Sequence, residues 1–169
     1  MSLPQRKVIR LREYDYRTPG FYFVTVCTHE KQRLFEPFVG ASLCTNPQNV
    51  GADLCVRPPD KQNFIGWWLL ELQQKYESVR IDTACIMPDH IHVLIELTGG
   101  HIGPPLQEIV QWYKTQTTNE YIRRVKRGEL LPFHQKVWQR GLYEHIIRND
   151  AELNETRQYI LTNPLAATL

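Results

Sequence analysis

No apolar run in the chain approaches the roughly 20 residues needed to cross a bilayer, so no membrane span is expected. The basic opening stretch, MSLPQRKVIRLR, lacks both the apolar core and the small-residue cleavage site of a secretory signal. The expectation is a cytoplasmic protein with no membrane partner. Cysteine is sparse, and Cys27, Cys44, Cys55 and Cys85 form no C-x-x-C pair, which argues against a compact thiolate zinc site. Cys27 and Cys85 lie in strand-like apolar runs, where buried free thiols are common. Charge of either sign is barely in excess: 20 Lys and Arg face 18 Asp and Glu, a net +2 that neither requires nor excludes a nucleic-acid partner. What remains is a soluble composition, 42% hydrophobic and 22% charged over 169 residues, enough for one domain with a real core. The whole of 1–169 is read as that domain, with an irregular insertion at about 38–63. Gly40, Asn46, Pro47, Asn49, Gly51, Pro58 and Pro59 punctuate this insertion, and it has little periodicity.

Around the insertion the patterning is regular. Gly20-Phe-Tyr-Phe-Val-Thr-Val-Cys27 is aromatic and β-branched, as a strand should be. Ile65, Trp68, Leu69, Leu72 and Tyr76 recur at helical spacing and predict a helix over 65–76. Strands over 80–87 and 90–97 follow, joined through Pro88-Asp89, and so short a link makes them antiparallel neighbours. Leu106, Ile109, Val110 and Tyr113 mark the packing stripe of a second helix over about 106–127. Alternation of Val137 and Gln139, then Tyr143, His145 and Ile147, predicts a strand over 136–148. Asn149-Asp150 can cap a last helix over about 151–162, stopped by Asn163-Pro164. The order β-α-β-β-α-β-α is a ferredoxin-like split βαβ: an α+β fold whose antiparallel sheet carries helices on one face, plus a C-terminal helix.

Chemistry concentrates in Met87-Pro-Asp-His-Ile-His-Val-Leu-Ile-Glu-Leu97. Side chains alternate along a strand, so His90 and His92 point the same way, with Cα atoms about 6.6 Å apart. At that spacing two imidazoles either share one metal ion or stand merely solvated. Ile91, Val93, Ile95 and Leu97 occupy the other face, which should pack on the helices and leave the histidines on the open side. On the last helix Tyr159 and Asn163 are four apart and share a face. A tyrosine can act as a covalent nucleophile when its electrophile is polarised, and an amide oxygen can join a metal shell. Alternatively, Tyr159 is a core aromatic and Asn163 a helix end. Positive charge gathers at 6–17, 123–127 and 136–148 beside Tyr14, Tyr16, Trp112, Tyr113, Tyr121, Trp138 and Tyr143. Basic groups interleaved with stacking surfaces suit a phosphodiester chain with exposed bases, although each cluster alone is an ordinary solvated face.

Three segments in order, Pro88-Asp-His-Ile-His92, Trp138-Gln-Arg-Gly-Leu-Tyr-Glu-His-Ile-Ile-Arg148 and Tyr159-Ile-Leu-Thr-Asn-Pro164, resemble the REP-associated tyrosine transposases. These are IS200/IS605-like enzymes of the HUH single-strand nuclease superfamily. The likeness covers about 17–165 apart from the insertion, which is longer than the connection in relatives. It implies a metal at His90 and His92 completed by Asn163, a nucleophile at Tyr159, and His145 as an active-site neighbour. It also implies cleavage and rejoining of single-stranded DNA beside hairpins through a 5′-phosphotyrosine. Phosphate chemistry and the resemblance favour one Mg²⁺ or Mn²⁺, since imidazole with amide oxygen does not itself select a metal. Candidate DNA contacts are Arg10, Arg12, Lys114, Arg123, Arg124 and Lys126, with Thr117 and Thr118 beside them. Both a monomer and a homodimer are compatible, with Tyr159 acting on its own histidines or on a partner's. Two other readings stand beside this one: a non-catalytic single-strand binder, and a phosphodiesterase that uses water.

Overall fold

Alternation along β1 (Gly20–Cys27) buries Tyr22, Val24 and Val26 on one face and turns Phe21, Phe23, Thr25 and Cys27 to the other. The computed structural model, which describes residues 14–39, 42–44, 61–99 and 103–166, sets this strand inside a five-stranded antiparallel sheet. The other strands are β2 (Ser42–Cys44), β3 (Val79–Met87), β4 (His90–Leu97) and β5 (Tyr143–Ile146), in the order β2-β3-β4-β1-β5. β4 lies between β1 and β3 and is antiparallel to both, which is the split βαβ expected from the sequence. Pro88 and Asp89 make the β3–β4 turn, with Met87 opposite His90. β2 falls inside the presumed irregular insertion and extends the sheet at one edge. Of that insertion, 40–41 and 45–60 lie outside the described residues, as do Arg10, Arg12 and Cys55.

Helices α1 (Phe64–Lys75) and α2 (Leu106–Lys126) cover one face. Asn63 caps α1 by accepting from the Gly66 N–H at 3.2 Å. The α2 stripe Leu106, Ile109, Val110, Tyr113, Thr117 and Tyr121 recurs at 3.6-residue spacing, so it stays buried over four turns. Ile65, Leu69 and Leu72 of α1 meet this stripe over Ile91, Val93, Ile95 and Leu97 of β4. The Tyr113 hydroxyl ties the two helices by donating to the Ile65 carbonyl at 2.8 Å.

Helix α3 (Asp150–Ala166) packs on the opposite face, and here the fold corrects the expectation. The histidine side of the sheet is not open, because Leu153 and Ile160 of α3 pack over Cys85, Met87 and Leu94. α3 also runs past Asn163-Pro164 to Ala166, so Asn163 is an internal helical residue and not a terminal cap. Pro164 withholds only its own N–H from the last turns, a small loss near a helix end. The start is as expected: the Asn149 side chain accepts from the Glu152 N–H at 2.9 Å.

The strand anticipated over 136–148 shrinks to Tyr143–Ile146. Gly141 takes a left-handed φ of 77°, which ends the alternation, and the chain before it meets the segment just after β1 through an isolated Thr28–Trp138 bridge. Among the described residues no helix is long and apolar enough to cross a membrane.

Candidate active site

Register places the site. Thr25 of β1, His92 of β4 and Cys85 of β3 form one row across the α3 face, and Cys27, His90 and Met87 form the next. Tyr143 of β5 sits beside Thr25, and His145 beside Phe23. His90 and His92 thus share a face, as the strand period requires, and their Nε2 atoms lie 3.1 Å apart. Each outer nitrogen has a partner: His90 Nδ1 with Asp89 Oδ1 at 2.6 Å, and His92 Nδ1 with Thr25 Oγ1 at 2.9 Å. An ionised carboxylate can only accept, so Nδ1 is the His90 nitrogen that donates, and in the neutral ring Nε2 then keeps the lone pair. The Thr25 hydroxyl can donate or accept, so His92 is free to present the same atom.

Those two nitrogens fit a shared cation. Ligands at about 2.1 Å from one ion stand roughly 3.0–3.4 Å apart in octahedral or tetrahedral geometry, which brackets the observed separation. A carboxylate and a hydroxyl on the outer nitrogens are the partners that orient metal-binding imidazoles. Burial, with His90 and the Lys31 ammonium nearby, pushes the His92 pKa down to about 4, so its ring is neutral, as a ligand must be, at physiological pH. Among the described residues no cluster of three His, Cys, Asp or Glu side chains is arranged to hold a metal, so further ligands would be an amide, water or substrate oxygen.

α3 brings the tyrosine. Its buried stripe is Leu153, Arg157, Ile160 and Leu161, and the adjacent flank carries Glu152, Thr156, Tyr159 and Asn163. The Tyr159 ring stands edge-on to His92, with centroids 5.4 Å apart, and to Phe23 at 6.0 Å. Phe23 itself stacks on His92 at 5.3 Å. Tyr159 nevertheless keeps 50% of its surface exposed, so it lies beside the histidines and also faces solvent. Asn163 is half-buried one turn further along the same flank.

What pins α3 was not anticipated. Arg157 donates from Nε to Asp82 Oδ1 at 2.9 Å and from a terminal nitrogen to Oδ2 at 2.6 Å, a bidentate pair with both side chains 8% exposed. Asp82 is the extra residue of a bulge between Ile81 and Thr83, which re-aims its carboxylate towards α3. Periodicity cannot reveal a bulge, and nothing in sequence marks Asp82 and Arg157 as partners. Asp89 and Thr25 were more accessible, the first as neighbour to His90 and the second through strand register.

His145 is on the α3 side but serves a helix end: its Nε2 meets Glu152 Oε1 at 2.6 Å, and Glu152 also accepts from the Arg148 N–H. His145, followed by the Arg148 N–H, holds the Glu152 carboxyl below its usual range. Several presumed DNA contacts are otherwise engaged. Lys114 is 6% exposed and donates to the Gln139 carbonyl at 2.9 Å and to that of Gly141. Thr117 is fully buried and accepts from the Trp138 indole at 2.9 Å. Arg124 pairs with Glu120 and donates to the Lys61 and Gln62 carbonyls, fastening the approach to α1. Tyr16, Tyr113, Tyr121 and Trp138 belong to the core and offer no stacking surface. Arg123, Lys126, Thr118 and Tyr143 keep contact with solvent. Thr118 lines a groove of about 470 Å³ between α2 and the 133–141 segment.

The sequence profile of the IS200-like transposases matches residues 62–163, a span that contains the histidine pair, Tyr159 and Asn163. An uncharacterized protein of Haemophilus influenzae is 32% identical over 177 residues, covering 97% of this chain and 91% of that protein. A second protein of that organism, named "Putative REP-associated tyrosine transposase", is 32% identical over 93 residues, 53% of this chain and 50% of its own. The fold is similar to that of a REP-associated tyrosine transposase solved bound to a REP hairpin, with a TM-score of 0.60 at 18% identity over 93% of this chain and 73% of the other. The profile spans more than half of the chain and the fold agrees with it: this chain belongs to the IS200-like transposase family.

Proposed function

We propose that this transposase is a metal-dependent single-strand DNA nuclease and strand transferase acting through a 5′-phosphotyrosine on Tyr159. One observation carries the reading: the Tyr159 ring lies 5.4 Å from His92 within the same chain, while half its surface faces solvent. A nucleophile must stand beside the group that polarises its target and still be reachable by that target. Tyr159 meets both conditions without a helix swing, which supports chemistry in cis by a monomer.

His90 and His92 would hold one divalent ion through Nε2, with Asn163 as a further oxygen ligand and Mg²⁺ or Mn²⁺ as the favoured occupant. Such an ion offsets the charge of the scissile phosphate and binds its oxygens. The Tyr159 oxygen forms a bond to phosphorus in line with the departing 3′ oxygen. The P–O3′ bond breaks, the 3′ oxygen leaves as a hydroxyl after taking a proton, and the 5′ phosphate stays on Tyr159. Attack by a free 3′-hydroxyl reverses these steps and rejoins the strand. Phe23 and Thr25 keep His92 in place, Asp89 keeps His90 in place, and the Asp82–Arg157 pair sets the position of α3. The substrate is read as a DNA hairpin with a single-stranded flank, contacted by exposed basic residues including Arg123 and Lys126.

The test is incubation with Mn²⁺ and hairpin oligonucleotides bearing single-stranded flanks, followed by denaturing electrophoresis and mass spectrometry. Wild type forms a covalent adduct at Tyr159. Tyr159→Phe forms none yet binds the hairpin with unchanged affinity. Turnover that persists in Tyr159→Phe would instead identify a water-using phosphodiesterase. Hairpin binding without cleavage in wild type would leave a non-catalytic binder.

A further inference from the structure

Among the described residues three non-glycine side chains occupy left-handed backbone: Glu30 at φ 54°, Lys31 at φ 56° and Gln135 at φ 56°. All three lie in one patch beside the histidine hairpin. The chain leaves β1 at Cys27, and Thr28, fully buried, gives both its N–H and its hydroxyl to the Asp89 carbonyl at 2.9 Å. The next turn is clamped to the 134–136 segment. Gln32 donates to the His29 and His134 carbonyls at 2.9 and 3.0 Å and accepts from the His134 N–H at 2.6 Å. The His29 N–H bonds the Val137 carbonyl at 2.9 Å, and its ring meets the Gln135 amide at 3.3 Å.

This clamp delivers one side chain to the site. The Lys31 ammonium donates to Cys27 Sγ at 3.3 Å, and Cys27 is the cross-strand partner of His90. It also lies 3.8 Å from Asp89 Oδ2, the carboxylate whose other oxygen holds His90. The Lys31 side chain keeps 58% of its surface exposed. An exposed ion pair at that distance contributes too little to account for consecutive left-handed residues that carry a β-carbon. Such backbone persists where the surroundings over-determine it, commonly next to a functional group that it positions. Its neighbour Glu30 turns instead to His134 at 3.1 Å, and the buried Lys114 ammonium is spent on carbonyls.

We infer that Lys31 takes a phosphate of the cleaved strand, at or next to the scissile bond, with the left-handed 30–31 turn holding its ammonium at the histidine end of the site. The inference rests on the nuclease reading above and deepens it. A phosphate there would lie between the exposed ammonium and the histidine pair. Cys27 and Asp89 then serve to hold the lysine ready when DNA is absent.

The experiment compares single-turnover adduct formation at saturating hairpin DNA with Mn²⁺ in wild type, Lys31→Met and Lys31→Arg. Each is run on natural DNA and on DNA with one neutral methylphosphonate at the scissile or adjacent linkage. Lys31→Met should form adduct 10- to 100-fold more slowly on natural DNA while its hairpin Kd changes less than about threefold, and Lys31→Arg should recover part of the rate. On the substrate whose neutral linkage replaces the contacted phosphate, wild type and Lys31→Met should react at the same rate. A purely structural lysine would not lose its effect in that way. A Lys31→Met rate within twofold of wild type overturns the inference, as does a defect that persists at both neutral linkages. Failure of wild type to form any adduct overturns the nuclease reading itself, a separate outcome.

Discussion

On one face of the sheet, β4 buries Ile91, Val93, Ile95 and Leu97 in a continuous apolar core beneath α1 and α2. On the other, the same strand offers His90, His92 and Leu94 to a single helix held by a small apolar cluster and one buried ion pair. The first face supplies most of the hydrophobic stabilisation, which scales with apolar area removed from water. The second has less to hold it and carries the polar groups. A buried ion pair adds little net stability against a hydrophobic substitute, because desolvation cancels much of the attraction, but it is strict about geometry. Arg157 lies two residues before Tyr159, so the strictest contact on α3 also fixes the angle at which the tyrosine meets His92.

That contrast breaks most sharply at the ion pair. Arg157→Ala removes the guanidinium that balances the Asp82 carboxylate, at a cost of about 4 kcal/mol. The loss should appear as undocking of α3, because the cluster beneath it is small. Hydrogen exchange would then accelerate over 150–166 while β1, β4 and α2 stay protected. Uniform acceleration throughout would mean that the two faces unfold as one unit. On the face beneath α1 and α2, Ile95→Ala should lower global stability by about 3 kcal/mol in urea titration. Adduct yield per folded molecule should be unchanged, since Ile95 points away from the histidines. A specific loss of activity would show that the faces are coupled.

Lys114 sharpens the comparison from the side of α2. Burial pushes its pKa down from 10.5 to about 8, partly countered by Cys27. The folded state therefore resists the charged form. The penalty is fully present below pH 8, shrinks as the pH rises through the interval to 10.5, and is gone above it. Wild type should gain stability relative to Lys114→Met across that interval, by up to about 3 kcal/mol. Paired urea titrations at pH 7.5 and 10 measure it, and a flat difference would mean that the carbonyls of Gln139 and Gly141 fully offset the burial.

The period of two in 90–97 made both faces of β4 legible, including the shared direction of His90 and His92, because strand geometry needs no tertiary information. What covered the histidine face was not legible. The α3 stripe includes Arg157, which reads as a surface residue until the bulge at Asp82 supplies a buried partner. The basic and aromatic clusters misled for a related reason. Tyr113 and Tyr121 are close in sequence to Lys114, Arg123 and Arg124, but 113, 117 and 121 lie along the buried stripe of α2. Interleaving in sequence thus became separation on the helix for the tyrosines, while Lys114 and Arg124 were drawn in to satisfy carbonyls. The 136–148 segment alternates as a strand would, yet the left-handed Gly141 divides it. Lys31 carried no signal at all, since its relation to His90 runs through the pairing of Cys27 across two strands.

The smallest expected effect is the most discriminating. Tyr159 is half-exposed, and its described contacts are ring contacts with Phe23 and His92, which phenylalanine keeps. Tyr159→Phe should therefore change unfolding free energy by less than about 0.5 kcal/mol, within the range of ordinary surface substitutions. Conserved stability together with a lost adduct would place the hydroxyl's role in chemistry alone. A drop of about 2 kcal/mol or more would instead mean that the hydroxyl helps to dock α3. The α3 face would then owe its position to Tyr159 as well as to Arg157, and the division between a face that holds and a face that carries the polar groups would fail.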